Sequence, residues 1–177
     1  MYRISELVRL DRKLVHSNDL AVLWGISSKN TLYTAIKRYV KRGILIPIYN
    51  GLYSTVPILQ LDPRELGVAI IHKFAYLSTE SVLVQDGIIY QGTYGNTFVT
   101  SVSEKITIGE ISFIYRKMKD QYLNNRSGLT EVSNIFVAST ERAVADMLYF
   151  NPSYHFDVPD NIDWEKVNTI QREVGYL

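Results

Sequence analysis

Apolar residues in the first quarter of the chain recur at three- and four-residue intervals, the period of helices that bury one face. Ser5 can cap a short helix carrying Ile4, Leu7 and Val8 inward. A second start, Ser17-Asn18-Asp19, precedes Leu20, Ala21, Leu23 and Trp24, and Gly25 ends it. Ser27-Ser28 opens a third helix with Leu32, Ile36, Tyr39 and Val40 inward, stopped at Gly43. The short gap between the second and third helices has helix-turn-helix spacing. Then the pattern shortens: Ile44 to Tyr49 and Leu52-Tyr53-Ser54 flank Asn50-Gly51, which suits a two-residue type I′ turn. Three helices and a hairpin predict a winged helix-turn-helix over residues 1–56.

After a linker over residues 55–60, the pattern predicts a second, small α+β domain over 61–177. Leu61-Asp62-Pro63 signals a helix with Leu66, Ala69 and Ile70 inward, and the stem of Lys73 completing the stripe toward Phe74. Another helix is expected near Ser78. Thr97 to Thr100, Ile106 to Ile108, Ile111 to Tyr115 and Asn134 to Val137 are rich in β-branched and aromatic residues and read as strands. Helices resume at 140–149 and 163–174, with a proline-containing loop over 151–160. Ser78-Thr79-Glu80 and Ser139-Thr140-Glu141 each place a hydroxyl cap and a carboxylate at a helix start, so capping is the preferred role of Glu80 and Glu141. Arg142 and Asp146 stand one turn apart as an intrahelical pair. The expected fold class is α+β throughout.

Charge divides the chain unevenly. Residues 1–53 carry nine basic side chains against three acidic, a net +6, whereas the remainder sums to −5. A basic module joined to an acidic body suits a polyanion partner. The third helix turns Asn30, Tyr33, Thr34, Lys37, Arg38 and Lys41 away from its apolar side. Ser27, Ser28, Lys29 and Asn30 at its start are placed to reach base edges, and Lys37, Arg38, Lys41 and Arg42 to meet phosphates, with Tyr49 and Asn50 on the hairpin. For any one of them, capping, packing or solvation is an equally good explanation; the set together points to double-stranded DNA.

Certain runs in this chain have a familiar order. Thr31-Leu32-Tyr33 to Arg42-Gly43-Ile44-Leu45 leads into Tyr49-Asn50-Gly51-Leu52-Tyr53; downstream come Tyr76-Leu77-Ser78-Thr79-Glu80-Ser81-Val82 and Val137-Ala138-Ser139-Thr140-Glu141-Arg142-Ala143 to Asp146. In this order and spacing the chain, from about residue 5 to 150, resembles the AbiEi-type antitoxins of type IV toxin–antitoxin systems and the winged-helix regulators related to them. Their hairpins are usually basic, where this one reads Pro47-Ile48-Tyr49-Asn50. The resemblance implies an autoregulating transcriptional repressor that recognises inverted repeats in its own operator. It also implies a functional link, without a stable complex, to a nucleotidyltransferase-like toxin.

Other classes find little support. The chain has no cysteine, which excludes disulfides, thiolate metal sites and cysteine nucleophiles. His16, His72 and His155 are widely separated, with no second histidine at metal-ligand spacing, and the glycines from Gly87 to Gly95 match no phosphate loop. No Gly-x-Ser-x-Gly elbow occurs. The reading is therefore no catalytic residues, no metal and no cofactor, in a cytoplasmic protein without membrane spans. The competing hypothesis is a protein-interaction module on a winged-helix scaffold, whose acidic face of Glu80, Asp86, Glu141 and Asp146 binds a basic partner; RNA is a third option. The charge split also raises autoinhibitory docking of the acidic body on the basic module.

Overall fold

The computed structural model describes residues 12–92 and 95–177. The helix expected from Ser5 lies outside the described residues. The chain divides into two compact units, one reaching to Asp62 and the other spanning Pro63–Leu177.

In the first unit, strand β1 (Leu14–His16) enters helix α1 (Ser17–Leu23), and five residues later helix α2 (Lys29–Lys41) begins. Strands β2 (Ile46–Tyr49) and β3 (Leu52–Ser54) follow. The strands form an antiparallel sheet in the order β1-β3-β2, with Val15 opposite Tyr53. Ser17 is the first helical residue rather than the cap, and the Asp19 carboxylate reaches back to the His16 backbone N–H at 3.2 Å. Ser28 does cap α2, its hydroxyl accepting from the Thr31 N–H at 3.5 Å. The core cluster is Val15, Leu20, Trp24, Leu32, Ala35, Ile36 and Leu45, with Trp24 stacked on Tyr39 at 5.1 Å, and the one polar side chain buried in this unit among the described residues, Ser54, donates to the Val56 carbonyl at 2.7 Å.

The hairpin turn departs from expectation. Only Gly51 has a positive φ, +79°, and a type I′ turn needs two such residues. The β2–β3 register slips between Pro47 and Tyr49, and the Gly51 carbonyl accepts from the Ser17 N–H at 2.8 Å, which draws the turn onto the start of α1. Type I′ geometry appears elsewhere, at Ser133 and Asn134 with φ of +50° and +65°.

The second unit opens with α3 (Pro63–Ile71), β4 (Ala75–Leu77), α4 (Glu80–Gln85), β5 (Asn96–Thr100), β6 (Glu104–Ile108) and β7 (Ile111–Lys117). It continues with α5 (Asp120–Leu123), β8 (Leu129–Val132), β9 (Ile135–Ala138), α6 (Thr140–Phe150) and α7 (Trp164–Val174). The six strands make one mixed sheet in the order β6-β7-β5-β4-β9-β8, with β5/β7 and β4/β9 parallel. The chain is thus α+β.

Helix α3 lies on the sheet at Gly67, where an added Cβ would come within 2.4 Å of the Phe98 ring. The Tyr115 hydroxyl donates to the Gly67 carbonyl at 2.6 Å, so this glycine admits the close approach of helix and sheet. Lys73, expected to lay its stem on the apolar stripe, is exposed beyond the helix end. Ser78 and Thr79 do not cap α4. Thr79 takes φ +50° and ψ −130° to turn the chain from β4 into the helix within two residues, and its hydroxyl makes no cap bond. Ser139, by contrast, caps α6 by accepting from the Arg142 N–H at 3.2 Å.

Candidate nucleic-acid interface

Helix α2 is two-faced because its apolar residues fall at one-turn spacing. Leu32, Ala35 and Ile36 are buried while Lys29, Asn30, Tyr33, Thr34, Lys37, Arg38, Lys41 and Arg42 are exposed. Among the described residues, none of Lys29, Lys37, Arg38, Lys41 and Arg42 forms an ion pair with a carboxylate. Five exposed cations without a carboxylate partner among the described residues thus cluster on α2 and the residue after it. Near the helix start Ser27 and Ser28 are exposed, with the Ser28 oxygen engaged as the cap.

The middle of this face is dented. Asn30, Thr31, Thr34, Ala35 and Arg38 line a shallow depression of about 280 Å³. The Thr34 hydroxyl donates to the Asn30 carbonyl at 2.8 Å, so its proton is used inside the helix. Beside the depression, Tyr33 is 47% exposed. Its phenol neighbours Tyr53 on β3, whose hydroxyl pKa is pushed up by burial and by Tyr33. Tyr53 joins helix and hairpin, a role the apolar-alternation pattern did not single out. Tyr49 is half-buried and Asn50 exposed at the turn, which carries no cation.

The second unit places its charges differently. Arg142 and Asp146 form the expected i,i+4 pair, Nε to Oδ1 2.8 Å, but both are fully buried. Asp146 also accepts from the Ser78 hydroxyl at 2.8 Å and the Tyr176 hydroxyl at 2.5 Å. Arg142 donates further to the Tyr76 hydroxyl at 2.9 Å and to the carbonyls of Ser127 at 2.7 Å and Asn125 at 3.3 Å. Burial, then the Asp146 charge, raises the pKa of both Tyr76 and Tyr176 above the ordinary phenol range. Burial opposes the charge of Arg142, yet Asp146 and the two tyrosines hold it firmly protonated. Gly128, at φ +70°, leaves room for the arginine, since a Cβ there would lie 2.7 Å from that of Arg142.

Glu80 is 7% exposed and bonded to Arg116 of β7. One Glu80 oxygen, the Arg116 Nε and the Thr79 hydroxyl are buried without hydrogen-bond partners among the described residues. A cleft of about 300 Å³ lined by Glu80, Ser81, Gln85 and Asn96 lies alongside. Glu141 accepts from Ser139 at 2.9 Å and pairs with Lys166 at 3.1 Å; burial works against its charge, but its backbone hydrogen bond, Lys166 and Ser139 together lower its pKa. Asp86 accepts from the Thr140 hydroxyl at 2.6 Å. Glu80, Asp86, Glu141 and Asp146 therefore do not form an open acidic face, because two are buried and the other two are engaged within the unit.

Among the described residues no group of three or more His, Asp or Glu side chains could hold a metal ion. Nor is any helix among them long and apolar enough to cross a membrane. No family model matches the chain, and no curated protein does. Among solved structures the chain is similar to the RV2827C protein from Mycobacterium tuberculosis. The TM-score is 0.55 at 12% identity over 98% of this chain and 73% of that one, a likeness of fold.

Proposed function

We propose that the chain is a sequence-specific DNA-binding repressor, with α1, α2 and the β1-β3-β2 sheet acting as a winged helix-turn-helix whose α2 enters the major groove. The observation that carries this reading is the α2 face: five exposed cations without carboxylate partners among the described residues, beside Asn30 and Thr34, opposite a wholly apolar side. Lys37, Arg38, Lys41 and Arg42 set affinity through phosphates, and Asn30, Tyr33 and Thr34 set sequence preference. The short, uncharged hairpin leaves most of the electrostatic grip to α2. The resemblance to AbiEi-type antitoxins extends the proposal to an autoregulator that counteracts a nucleotidyltransferase-like toxin, acting on inverted repeats of its own operator.

The test is a mobility shift on the chain's own upstream duplex and an unrelated duplex of equal length, across a salt series. Preference for the upstream duplex is expected to survive about 150 mM salt, where non-specific phosphate binding has weakened steeply. Lys37→Ala with Arg38→Ala is expected to flatten the salt slope by about two. Unchanged affinity and slope in that double variant would overturn the α2 assignment, and equal retention of an RNA duplex would transfer the reading to RNA.

A further inference from the structure

The depression on α2 carries the reading of the chain as a DNA-binding protein one step further, on which it rests. We infer that Thr34 reads the C5-methyl group of a thymine, between a base contacted by Asn30 and one contacted by Arg38. Three observations converge. Asn30, Thr34 and Arg38 follow one another at four-residue spacing, so they lie in one row along the helix surface. All three are exposed and line the same dent, together with Thr31 and Ala35. The only proton Thr34 could donate is bonded to the Asn30 carbonyl.

Each group's chemistry then assigns what it can read. An amide offers one donor and one acceptor, which matches the N6 and N7 edge of adenine; a guanidinium offers paired donors, which match O6 and N7 of guanine. Thr34 has no donor left and keeps a methyl group, and thymine is the base that presents a methyl in the major groove. Successive members of the row are about 6 Å apart along the helix, against about 3.4 Å between stacked base pairs. The three contacts thus fall on different pairs, roughly two base-pair steps apart where the helix runs along the groove.

The experiment uses the full chain and a randomised duplex library, with wild type, Thr34→Val and Thr34→Ser selected in parallel. Valine keeps the shape and the methyl without the hydroxyl; serine keeps the hydroxyl without the methyl. Wild type and Thr34→Val are expected to enrich thymine at one shared position, with preference there lost in Thr34→Ser. Uracil in place of that thymine is expected to weaken wild type and Thr34→Val roughly fourfold, the worth of one buried carbon, and to leave Thr34→Ser unchanged. Circular dichroism confirms that both variants fold. Loss of the preference in Thr34→Val, or indifference of wild type to uracil, would overturn the inference while leaving DNA binding intact. Failure of wild type to enrich any sequence would overturn the sequence-specific reading itself.

Discussion

The two units solve the placement of charge in opposite ways. The first keeps every described cation at the surface and buries no charged side chain among the described residues, so its charge is available to something outside. The second draws an arginine and an aspartate fully inside and surrounds them with two tyrosines, a serine and two carbonyls. A charge left in water is cheap to keep and easy to lend to a partner. A buried one must be matched at every atom and becomes part of the scaffold. The contrast teaches that net charge by unit, +5 for residues 1–62 against −4 for residues 63–177, poorly describes what each surface offers. Part of the acidic excess lies buried or is engaged within the unit.

The largest way to break this comparison is Arg142→Met. It leaves Asp146 buried without its cation and is expected to cost the second unit about 3 to 5 kcal/mol. Trp24 and Trp164 are the two tryptophans, one in each unit, so urea unfolding in a Trp24→Phe background reads the second unit alone. An unmoved midpoint would mean the buried network is dispensable. Gly67→Ala comes next, because the added methyl drives into Phe98; a loss of about 1 to 3 kcal/mol is expected in the same assay.

Raising the pH probes the buried tyrosines. Their folded pKa values are raised, so stability is fully present below about pH 10, where unfolded tyrosine ionises, and falls as pH rises beyond it. Tyr176→Phe should make that alkaline fall shallower. Acid acts on Glu141 with the opposite sign. Its folded pKa is lowered, so its contribution is present above about pH 4.3 and is lost as pH falls through the folded value. Lys166 is over half exposed, and the loss should stay below about 1 kcal/mol and vanish in Glu141→Gln. Smallest of all, Lys41→Ala and Arg42→Ala should change the stability of the first unit by less than about 0.5 kcal/mol in thermal melts. If they destabilise it strongly, the α2 cations serve the fold and not a partner.

The long periodic elements were legible in the sequence: α2, α6 and α7 carry enough turns for their apolar faces to show, and Ser28, Ser139 and Gly43 mark their ends. Strands β1 and β4 were not, since three residues hold no period. Ala75, Tyr76 and Leu77 are covered on both faces, so nothing alternates. Helix α5 and strand β8 are four-residue elements with one buried side chain between them. At the Asn50-Gly51 turn local propensity loses to the hydrogen bond from Ser17, which lies 34 positions earlier in the chain. The α2 face was readable because exposure is the complement of a visible apolar stripe. Burial of the Arg142–Asp146 pair was not, because four-residue spacing looks the same on a wet helix and a dry one; its partners Tyr76, Ser78 and Tyr176 come from β4, the turn after it and the segment after α7.

The bond from Tyr176 to Asp146 has a consequence for the order in which the chain is made. Synthesis runs from the N-terminus, so the first unit can close its apolar core from residues 15 to 54 while the second is still emerging. The Arg142–Asp146 pair receives its last hydroxyl only when residue 176 leaves the ribosome, thirty residues after the aspartate. Until then water must stand in for the tyrosine at that carboxylate oxygen.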